Sequence, residues 1–152
     1  RYGNVGAGYQ WVKRRILRNL DSVSDLSDSP TGIYISRRHA DERQVVNESD
    51  VMNMLADYGF KLYELEELSF SNQVRLFRQA DAVVAPHGAG LINAIYGTNL
   101  SILELFGDYI NGCYYTMAES LGFNYGCLTC ESIGSSMRVD VNRLEELLNQ
   151  VL

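Results

Sequence analysis

From residue 32 onward, short apolar segments alternate with segments of helical periodicity. The short segments are either rich in β-branched and aromatic residues or wholly apolar. They predict strands at 32–36, 60–65, 81–86 and 100–106, with a fifth inside 121–130. The segments between and after them predict helices at 48–58, at about 72–79, over a stretch that ends at Tyr96, and at 112–121 and 139–152. Strict alternation of this kind produces a parallel sheet with helices on both faces. The sequence therefore predicts an α/β fold with a doubly wound parallel sheet.

The strand at 81–86 indicates where a ligand would bind. Its sequence DAVVAP is almost entirely apolar, which is typical of a central strand buried on both faces. Sheets of this Rossmann-like type bind ligands outside the carboxyl ends of their strands, where the strand order reverses. We therefore expect functional residues in three loops, 36–47, 65–71 and 86–91.

The residues before position 32 differ from the rest of the chain. Residues 9–20 place Trp11, Val12, Ile16 and Leu20 at helical spacing among basic residues, and 21–32 are rich in Ser and Asp. We interpret 1–31 as a basic N-terminal helix with a linker, and 32–152 as one Rossmann-like α/β domain. Since the 152-residue chain begins with Arg1, we expect it to be a piece of a longer polypeptide.

Charge and cysteine content exclude several classes of protein. The formal net charge of -6 argues against a nucleic-acid-binding surface, and no apolar run reaches the ~18 residues of a membrane span. Cys127 and Cys130 form a C-x-x-C pair, but with Cys113, His39 and His87 as the remaining candidates a zinc site is less favoured than reduced thiols. Reduced thiols predict a cytoplasmic location, with membrane association of the full-length protein left open.

The motif PHGAGL (86–91) is the strongest chemical signal. A buried strand ends, the chain turns through Gly88 and Gly90, and a helix begins. Main-chain N–H groups at such a helix start suit a phosphate, although glycines that merely permit a tight turn are an equal alternative. His87 at the strand end could bond a phosphate or act as an acid or base, or serve as a structural hydrogen-bonding residue.

Two further features have a charged residue near the predicted binding edge. Arg37 and Arg38 follow the first strand in SRRHADER (36–43), where they could bind a diphosphate or pair with Asp41 or Glu42. Glu104 interrupts the apolar strand ILELF and needs partners there. Those partners could be ribose hydroxyls, or an arginine or main-chain N–H group.

These stretches together resemble the glycosyltransferase family 61 domain, which includes capsular polysaccharide biosynthesis enzymes. The resemblance covers about residues 32–125 and rests on ISR, NE, YGF, LSFxxQ and HGAGL at matching spacing. It implies a GT-B architecture of two Rossmann-like domains, with this chain as the C-terminal, donor-binding half. It also implies inverting transfer from a nucleotide-sugar, commonly a UDP-sugar, to a glycan acceptor, with the N-terminal half elsewhere in the polypeptide.

The resemblance assigns roles by position. Arg37 and Arg38 would face the diphosphate, Asn47 of the NE motif would orient their loop, and Glu104 would suit the ribose. The phosphate-facing turn would consist of His87, Gly88, Ala89 and Gly90, and the nucleoside would be bordered by Phe70 and Gln73.

No catalytic base is assigned in this chain. No D-x-D metal motif is present, so neither a metal nor another cofactor is expected besides the donor.

Two other functions are weighed against sugar transfer. A nucleotide- or phosphate-binding regulatory module without transfer activity would need the same residues. A nicotinamide-dependent oxidoreductase is disfavoured, because the third glycine of G-x-G-x-x-G is missing and HGAGL follows the third strand rather than the first.

Overall fold

The computed structural model describes residues 5–19 and 31–152. Its α-helices are α1 (Val5–Asn19), α2 (Glu48–Asp57), α3 (Phe70–Gln79), α4 (Cys113–Leu121) and α5 (Val141–Val151). Its strands are β1 (Gly32–Ile35), β2 (Phe60–Tyr63), β3 (Ala82–Pro86), β4 (Ser101–Phe106), β5 (Asn124–Thr129), β6 (Glu131–Ile133) and β7 (Ser136–Arg138). Leu65–Glu67 and Ala89–Tyr96 are 3₁₀ helices.

Strands β1 to β5 form one parallel sheet in the order β2-β1-β3-β4-β5. Gly32 of β1 is in register with Phe60 of β2 on one side and Ala82 of β3 on the other. The chain moves outward from β1 to β2 and then returns past β1 to β3, so the strand order reverses between β1 and β3. Ligands of doubly wound sheets bind beside the carboxyl ends at such a reversal. The predicted α/β fold with a parallel sheet is confirmed.

Helices cover both faces of the sheet. Because side chains alternate along a strand, Ile33 and Val83 face one layer and Tyr34 and Val84 face the other. The first layer contains α1, α3, α4 and the 3₁₀ helix Ala89–Tyr96, and the second contains α2 and α5. Every residue of β3 is buried, as its apolar sequence predicts.

Helix α1 packs against the same core as the sheet. Tyr9, Val12 and Ile16 contact the first layer, which is the expected i, i+3, i+7 spacing. The prediction that Trp11 lies on this inner face is wrong: its side chain is 67% exposed, because one residue of helix rotates it about 100° away from Val12. Leu20 and the predicted linker, up to residue 30, lie outside the described residues.

The start of α3 differs from the prediction. We expected a helix beginning near residue 72. Instead Ser69 is the cap, its Oγ accepting a hydrogen bond from the main-chain N–H of Asn72 at 3.3 Å, and the helix begins at Phe70. Among residues 5–19 and 31–152, no helix is both long and apolar enough to span a bilayer.

An antiparallel hairpin of β6 and β7 follows the sheet and was not predicted. The loop after β1 runs alongside β7: the N–H of Met137 donates to the carbonyl of Gln44, and the N–H of Val46 donates to the carbonyl of Met137. The hairpin therefore reaches back to the carboxyl edge of the sheet. Gly134 at its turn has a φ of 60°, which favours glycine. The Gly134–Ser135 pair between two short segments was the sequence signal that could have predicted the hairpin.

Candidate functional site at the carboxyl edge of the sheet

Arg37 and Gly88 meet where the strand order reverses. Arg37 follows β1 and Gly88 follows β3, and a Cβ atom placed on Gly88 would lie 2.4 Å from Nη1 of Arg37. The φ of Gly88 is 174°, an extended value open to any residue, so a larger residue here would displace the guanidinium of Arg37 without straining the backbone. Arg37 also donates from Nε and Nη2 to the carbonyl of Glu42, at 3.3 and 3.2 Å.

A buried carboxylate orients the imidazole of His87. Its Nδ1 lies 2.5 Å from Oε1 of Glu104 on the neighbouring strand β4, and Tyr125 on β5 donates its hydroxyl proton to Oε2 at 2.6 Å. As a carboxylate, Glu104 accepts the proton of Nδ1 and leaves Nε2 as the free ring nitrogen. Burial raises the pKa of Glu104, and the hydrogen bonds from Tyr125 and His87 oppose that rise.

Three aromatic rings surround His87. Phe106 stacks on the imidazole with centroids 5.3 Å apart, and Tyr109 and Tyr114 are tilted against it at 5.4 and 5.5 Å. Tyr114 also donates its hydroxyl to the carbonyl of Gly88 at 2.8 Å, and burial raises its pKa to about 12, so that the hydroxyl keeps its proton. Packing and hydrogen bonding thus restrict both His87 and the turn after it.

A cavity of about 440 Å³ opens beside His87. Its walls are Glu42 and Arg43 from the loop after β1, His87, residues 107–109 after β4, and residues 134–137 of the hairpin. This volume is within the usual range of small-molecule sites. A smaller cavity of about 150 Å³ lies between the loop after β1 and Gly90, and Arg37 is part of its lining.

Arg38 points into a network of carboxylates rather than into the larger cavity. Its guanidinium pairs with Glu48 at 3.2 Å and with Glu64 at 3.1 Å, and His39 contacts the second oxygen of Glu64 at 3.0 Å. Ser36 adds a hydrogen bond from its hydroxyl to Glu48 at 2.8 Å. The structure therefore separates the two predicted arginines, and only Arg37 reaches the turn at Gly88.

Glu104 does not reach the cavity. Its side chain is completely buried, and its two oxygens are occupied by His87 and Tyr125. In this conformation it cannot touch a ribose, so its position supports a role in orienting His87 instead of the predicted contact with the nucleoside.

Asn47 ties two distant parts of the chain together. Its Nδ2 donates to the carbonyl of Val139, and its Oδ1 accepts from the N–H of the same residue, both at 2.9 Å. Asn47 occupies the cap position of α2, but its side chain makes no hydrogen bond to the first turn of that helix. Asn47 fixes the segment after β7 rather than contacting the cavity.

The two residues expected near the nucleoside lie on α3. Gln73 donates from Nε2 to the carbonyl of Leu65 at 2.8 Å and accepts from Asn93 at 2.9 Å, so its amide is engaged within the protein. Phe70 is 51% exposed and makes an edge contact with Tyr96 at 6.1 Å. Of the predicted turn, Ala89 is exposed and Gly90 lies at the smaller cavity.

Arg43 is the cavity residue that the sequence interpretation missed. It is the third arginine of SRRHADER, and nothing in the local pattern distinguishes it from Arg37 and Arg38. Contact with the hairpin, which was itself not predicted, turns Arg43 toward the cavity. The arginine-rich motif indicated that an arginine would lie near the site, but it did not indicate which of the three.

The cysteines do not gather into a metal site. Cys113 and Cys127 are exposed and Cys130 is buried, and all three are free thiols. Within the part of the chain that the structure describes, no group of three or more His, Cys, Asp or Glu side chains is arranged to hold a metal ion. That the protein needs no metal stays a prediction.

Three comparisons relate this chain to known proteins. A family model described as glycosyltransferase 61 matches residues 2–101. EGF domain-specific O-linked N-acetylglucosamine transferase from Drosophila melanogaster is 33% identical over 96 residues, covering 60% of this chain and 18% of that protein. The protein of the same name from Gallus gallus is 28% identical over 131 residues, covering 81% of this chain and 24% of that protein. The chain thus spans a quarter or less of the length of these relatives.

The fold is similar to that of a solved glycosyltransferase. The structure of E. coli heptosyltransferase WaaC with ADP superposes with a TM-score of 0.56 at 16% sequence identity, covering 93% of this chain and 49% of that one. The chain therefore has the fold of about half of that enzyme, in agreement with the prediction of one half of a GT-B architecture.

Proposed function

The chain belongs to the glycosyltransferase 61 family, and on that premise we propose that it binds the nucleotide-sugar donor, a UDP-sugar, for inverting transfer to a glycan acceptor. The observation that carries the proposal is the position of Arg37 over Gly88 at the reversal of strand order, beside a cavity that His87 lines. Doubly wound sheets bind nucleotides at this point. The chain would supply the donor-binding half, with a second domain of the same polypeptide facing it.

Sugar transfer requires stabilisation of the leaving group. The oxygen of an acceptor hydroxyl forms a bond to the anomeric carbon while the bond from that carbon to the diphosphate oxygen breaks. The electron pair of the broken bond leaves with the nucleoside diphosphate, and the hydroxyl proton passes to a base. Fixed positive charge and N–H donors aimed at the diphosphate lower the barrier to this step. We assign that part of the reaction to this chain and not the base.

Two groups of the site suit the leaving diphosphate. The guanidinium of Arg37 is held by the carbonyl of Glu42 and stays charged at neutral pH, although burial and the nearby Arg43 lower its pKa. His87 presents Nε2 on the side of the ring opposite Glu104, where it can share a proton with a phosphate oxygen. The main-chain N–H groups at the start of the 3₁₀ helix are a further set of donors.

The fold alone does not define which donor and which acceptor the protein uses. The named relatives transfer N-acetylglucosamine to EGF domains, whereas the sequence resemblance includes capsular polysaccharide enzymes. Both an EGF domain and an oligosaccharide are therefore acceptors worth testing, with UDP-N-acetylglucosamine among the donors. The cytoplasmic location that we predicted from the cysteines stays a prediction.

The test is binding and turnover by the full-length protein. We expect UDP and at least one UDP-sugar to raise the melting temperature, because a ligand that binds only the folded state stabilises it. Transfer of radiolabelled sugar from the same donor to an acceptor should follow, and Arg37→Ala should reduce it. Binding without transfer to any acceptor would favour the regulatory module, and no nucleotide binding would contradict the proposal.

A further inference from the structure

A groove between α1 and α4 combines an exposed tryptophan with polar side chains. It has a volume of about 460 Å³, and its lining consists of Gly6, Ala7, Gln10, Trp11 and Arg14 of α1 with Ser120 of α4. This α1–α4 groove shares no residue with the larger cavity beside His87. Its volume is within the usual range of sites for small molecules.

Trp11 presents a large apolar ring at this groove. Its side chain is 67% exposed, whereas Val12 and Ile16 on the other side of α1 pack against the core. Ala7 lies one helical turn before Trp11 on the same side and has only a methyl group. A flat ring can therefore lie against the indole without meeting a bulky neighbour.

The polar groups of the groove match the substituents of a sugar. Gln10 has both donors and an acceptor, and Ser120, which donates its hydroxyl to the carbonyl of Thr116 at 2.7 Å, can still accept a hydrogen bond. Arg14 is exposed and offers paired N–H donors, which suit a carboxylate. A sugar ring has an apolar face of C–H groups and a rim of hydroxyls. An aromatic ring flanked by donors and acceptors is complementary to both.

The charges of the two helical layers indicate that the ligand is acidic. Helices α1, α3 and α4 of the first layer carry six basic residues and one acidic residue: Lys13, Arg14, Arg15, Arg18, Arg75, Arg78 and Glu119. Helices α2 and α5 of the second layer carry one basic residue and five acidic residues: Arg143, Glu48, Asp50, Asp57, Glu145 and Glu146. Although the chain has a net charge of -6, the layer that contains the groove is therefore basic and attracts anions.

A discrete acidic ligand fits this surface better than an anionic bilayer does. A helix that lies on a bilayer inserts its apolar face between the headgroups. In α1 the core of the protein covers that face, and Trp11 projects from the other side. The groove is also concave, whereas a bilayer is a broad and nearly flat surface.

We propose that the α1–α4 groove is a second glycan-binding site, which takes glycans that carry carboxylate groups, such as those with uronic acid residues. Trp11 stacks on the face of one sugar ring, Arg14 binds its carboxylate, and Gln10 and Ser120 bind hydroxyls. Arg18 lies about 6 Å further along the same side of α1, where it can bind the next acidic group. The site holds an acceptor chain on the enzyme and so raises its effective concentration. The inference goes beyond the proposed function, since it does not depend on which nucleotide-sugar the protein uses.

The test compares two hexasaccharides by calorimetry with the full-length protein. Hyaluronan hexasaccharide alternates glucuronate with N-acetylglucosamine, whereas chitohexaose is N-acetylglucosamine throughout and is neutral. We expect the acidic hexasaccharide to bind at least about tenfold more tightly, with an affinity that falls as the salt concentration rises. Equal binding of the two, or binding of neither, overturns the inference.

Two variants and a matched control locate the site. Trp11→Ala should weaken binding of the acidic hexasaccharide about tenfold or more, because the stacking surface is lost. Arg14→Gln keeps the length of the side chain without its charge and should abolish the preference for the acidic hexasaccharide. Arg143→Gln makes the same change at an exposed arginine of the second layer, and its affinity should stay within about twofold of the parent. Trp11 and Arg14 variants that bind as the parent does overturn the inference.

Donor binding is scored separately in the same preparation. If the parent binds UDP but not the acidic hexasaccharide, the inference fails and the proposed function stands. If it binds the hexasaccharide through Trp11 and Arg14 but no nucleotide, the inference stands and the proposed function fails. Vesicles that contain phosphatidylserine are the third probe. Binding to them that needs Trp11, without binding of the hexasaccharide, would assign this surface to a bilayer and overturn the inference.

Discussion

The imidazole of His87 and the carboxylate of Glu104 form a buried pair, with Nδ1 and Oε1 2.5 Å apart. His87 follows β3 and Glu104 lies within the neighbouring strand β4, and Tyr125 occupies the second carboxylate oxygen. One end of this chain of hydrogen bonds is buried and the other lines the cavity. The imidazole at the cavity wall is thereby oriented by a carboxylate that solvent does not reach.

Replacing Glu104 by glutamine should change how stability depends on pH. Burial raises the pKa of Glu104 above its ordinary value of 4.5, against the hydrogen bonds from Tyr125 and His87. Between the unfolded and folded pKa values the folded protein keeps a proton that the unfolded chain has lost. The stability that this group contributes is therefore present below 4.5 and decreases as the pH rises through the folded value.

Urea unfolding of the parent and of Glu104→Gln from about pH 4 to about pH 8 measures this effect. The difference in unfolding free energy, parent minus variant, should fall across the lower part of that range and then level off. His87→Ala is the companion variant, because it removes the hydrogen bond from the imidazole while keeping the carboxylate. Parallel curves for the parent and Glu104→Gln would show that the carboxylate does not titrate in this way.

Gly88→Ala should impair nucleotide binding without unfolding the protein. The new Cβ would meet Nη1 of Arg37 at 2.4 Å and displace the guanidinium, while the extended backbone accepts alanine. Loss of one hydrogen bond to a charged group corresponds to about 1.5–3 kcal/mol, so UDP affinity should fall at least about tenfold. Gly8→Ala on α1, where a Cβ meets nothing within 4 Å, is the matched control and should bind as the parent does.

Substitutions of Asn47 should lower stability in steps. Asn47→Asp keeps the acceptor for the N–H of Val139 but loses the donor to its carbonyl, whereas Asn47→Ala loses both bonds. We expect about 1 kcal/mol for the first and about 2–3 kcal/mol for the second in chemical unfolding. Equal losses would mean that the hydrogen bond from the N–H of Val139 to Oδ1 of Asn47 contributes nothing.

Arg38→Ala should act through stability. Its removal leaves Glu48 and Glu64 without their cation, and the side chains of both are largely buried, at 16% and 11% exposure. Since Arg38 itself is partly exposed, we expect a loss of about 1–2 kcal/mol in unfolding free energy. Arg14→Ala, an exposed arginine of α1, should change it by less than about 0.5 kcal/mol. An unchanged value for Arg38→Ala would refute the structural role of the network.

The three thiols should react at different rates with a thiol reagent at mildly alkaline pH. Cys127 and Cys113 are both exposed, and Cys127 should react first because partial desolvation of the Cys113 thiol raises the pKa of Cys113. Burial raises the pKa of Cys130 to about 11, so it should be modified only after unfolding. Mass spectrometry of the partly modified protein gives the order, and early modification of Cys130 would contradict this packing.

Strand and helix types could be predicted because their signals are local. Strand β3 ends at Pro86 and the 3₁₀ helix ends at Tyr96, just before Gly97, as the sequence predicts. Helix starts were less predictable: Ser69, Ser71 and Asn72 are all competent caps, and packing selects among them. The hairpin was missed because its strands of three residues are too short to show a period.

By itself, the sequence determined that this chain is a doubly wound α/β unit and that its functional residues follow the carboxyl ends of the strands. It also determined that arginines and a glycine turn meet there, because alternating strands and helices leave few possible topologies. Only the tertiary structure decided which side chain faces which partner. Arg38 pairs with carboxylates from two other elements, Glu104 is buried under His87, and Arg43 is turned by a hairpin that lies about 90 residues further along the chain. These pairings depend on contacts between segments far apart in the sequence, and no local pattern of residues encodes them.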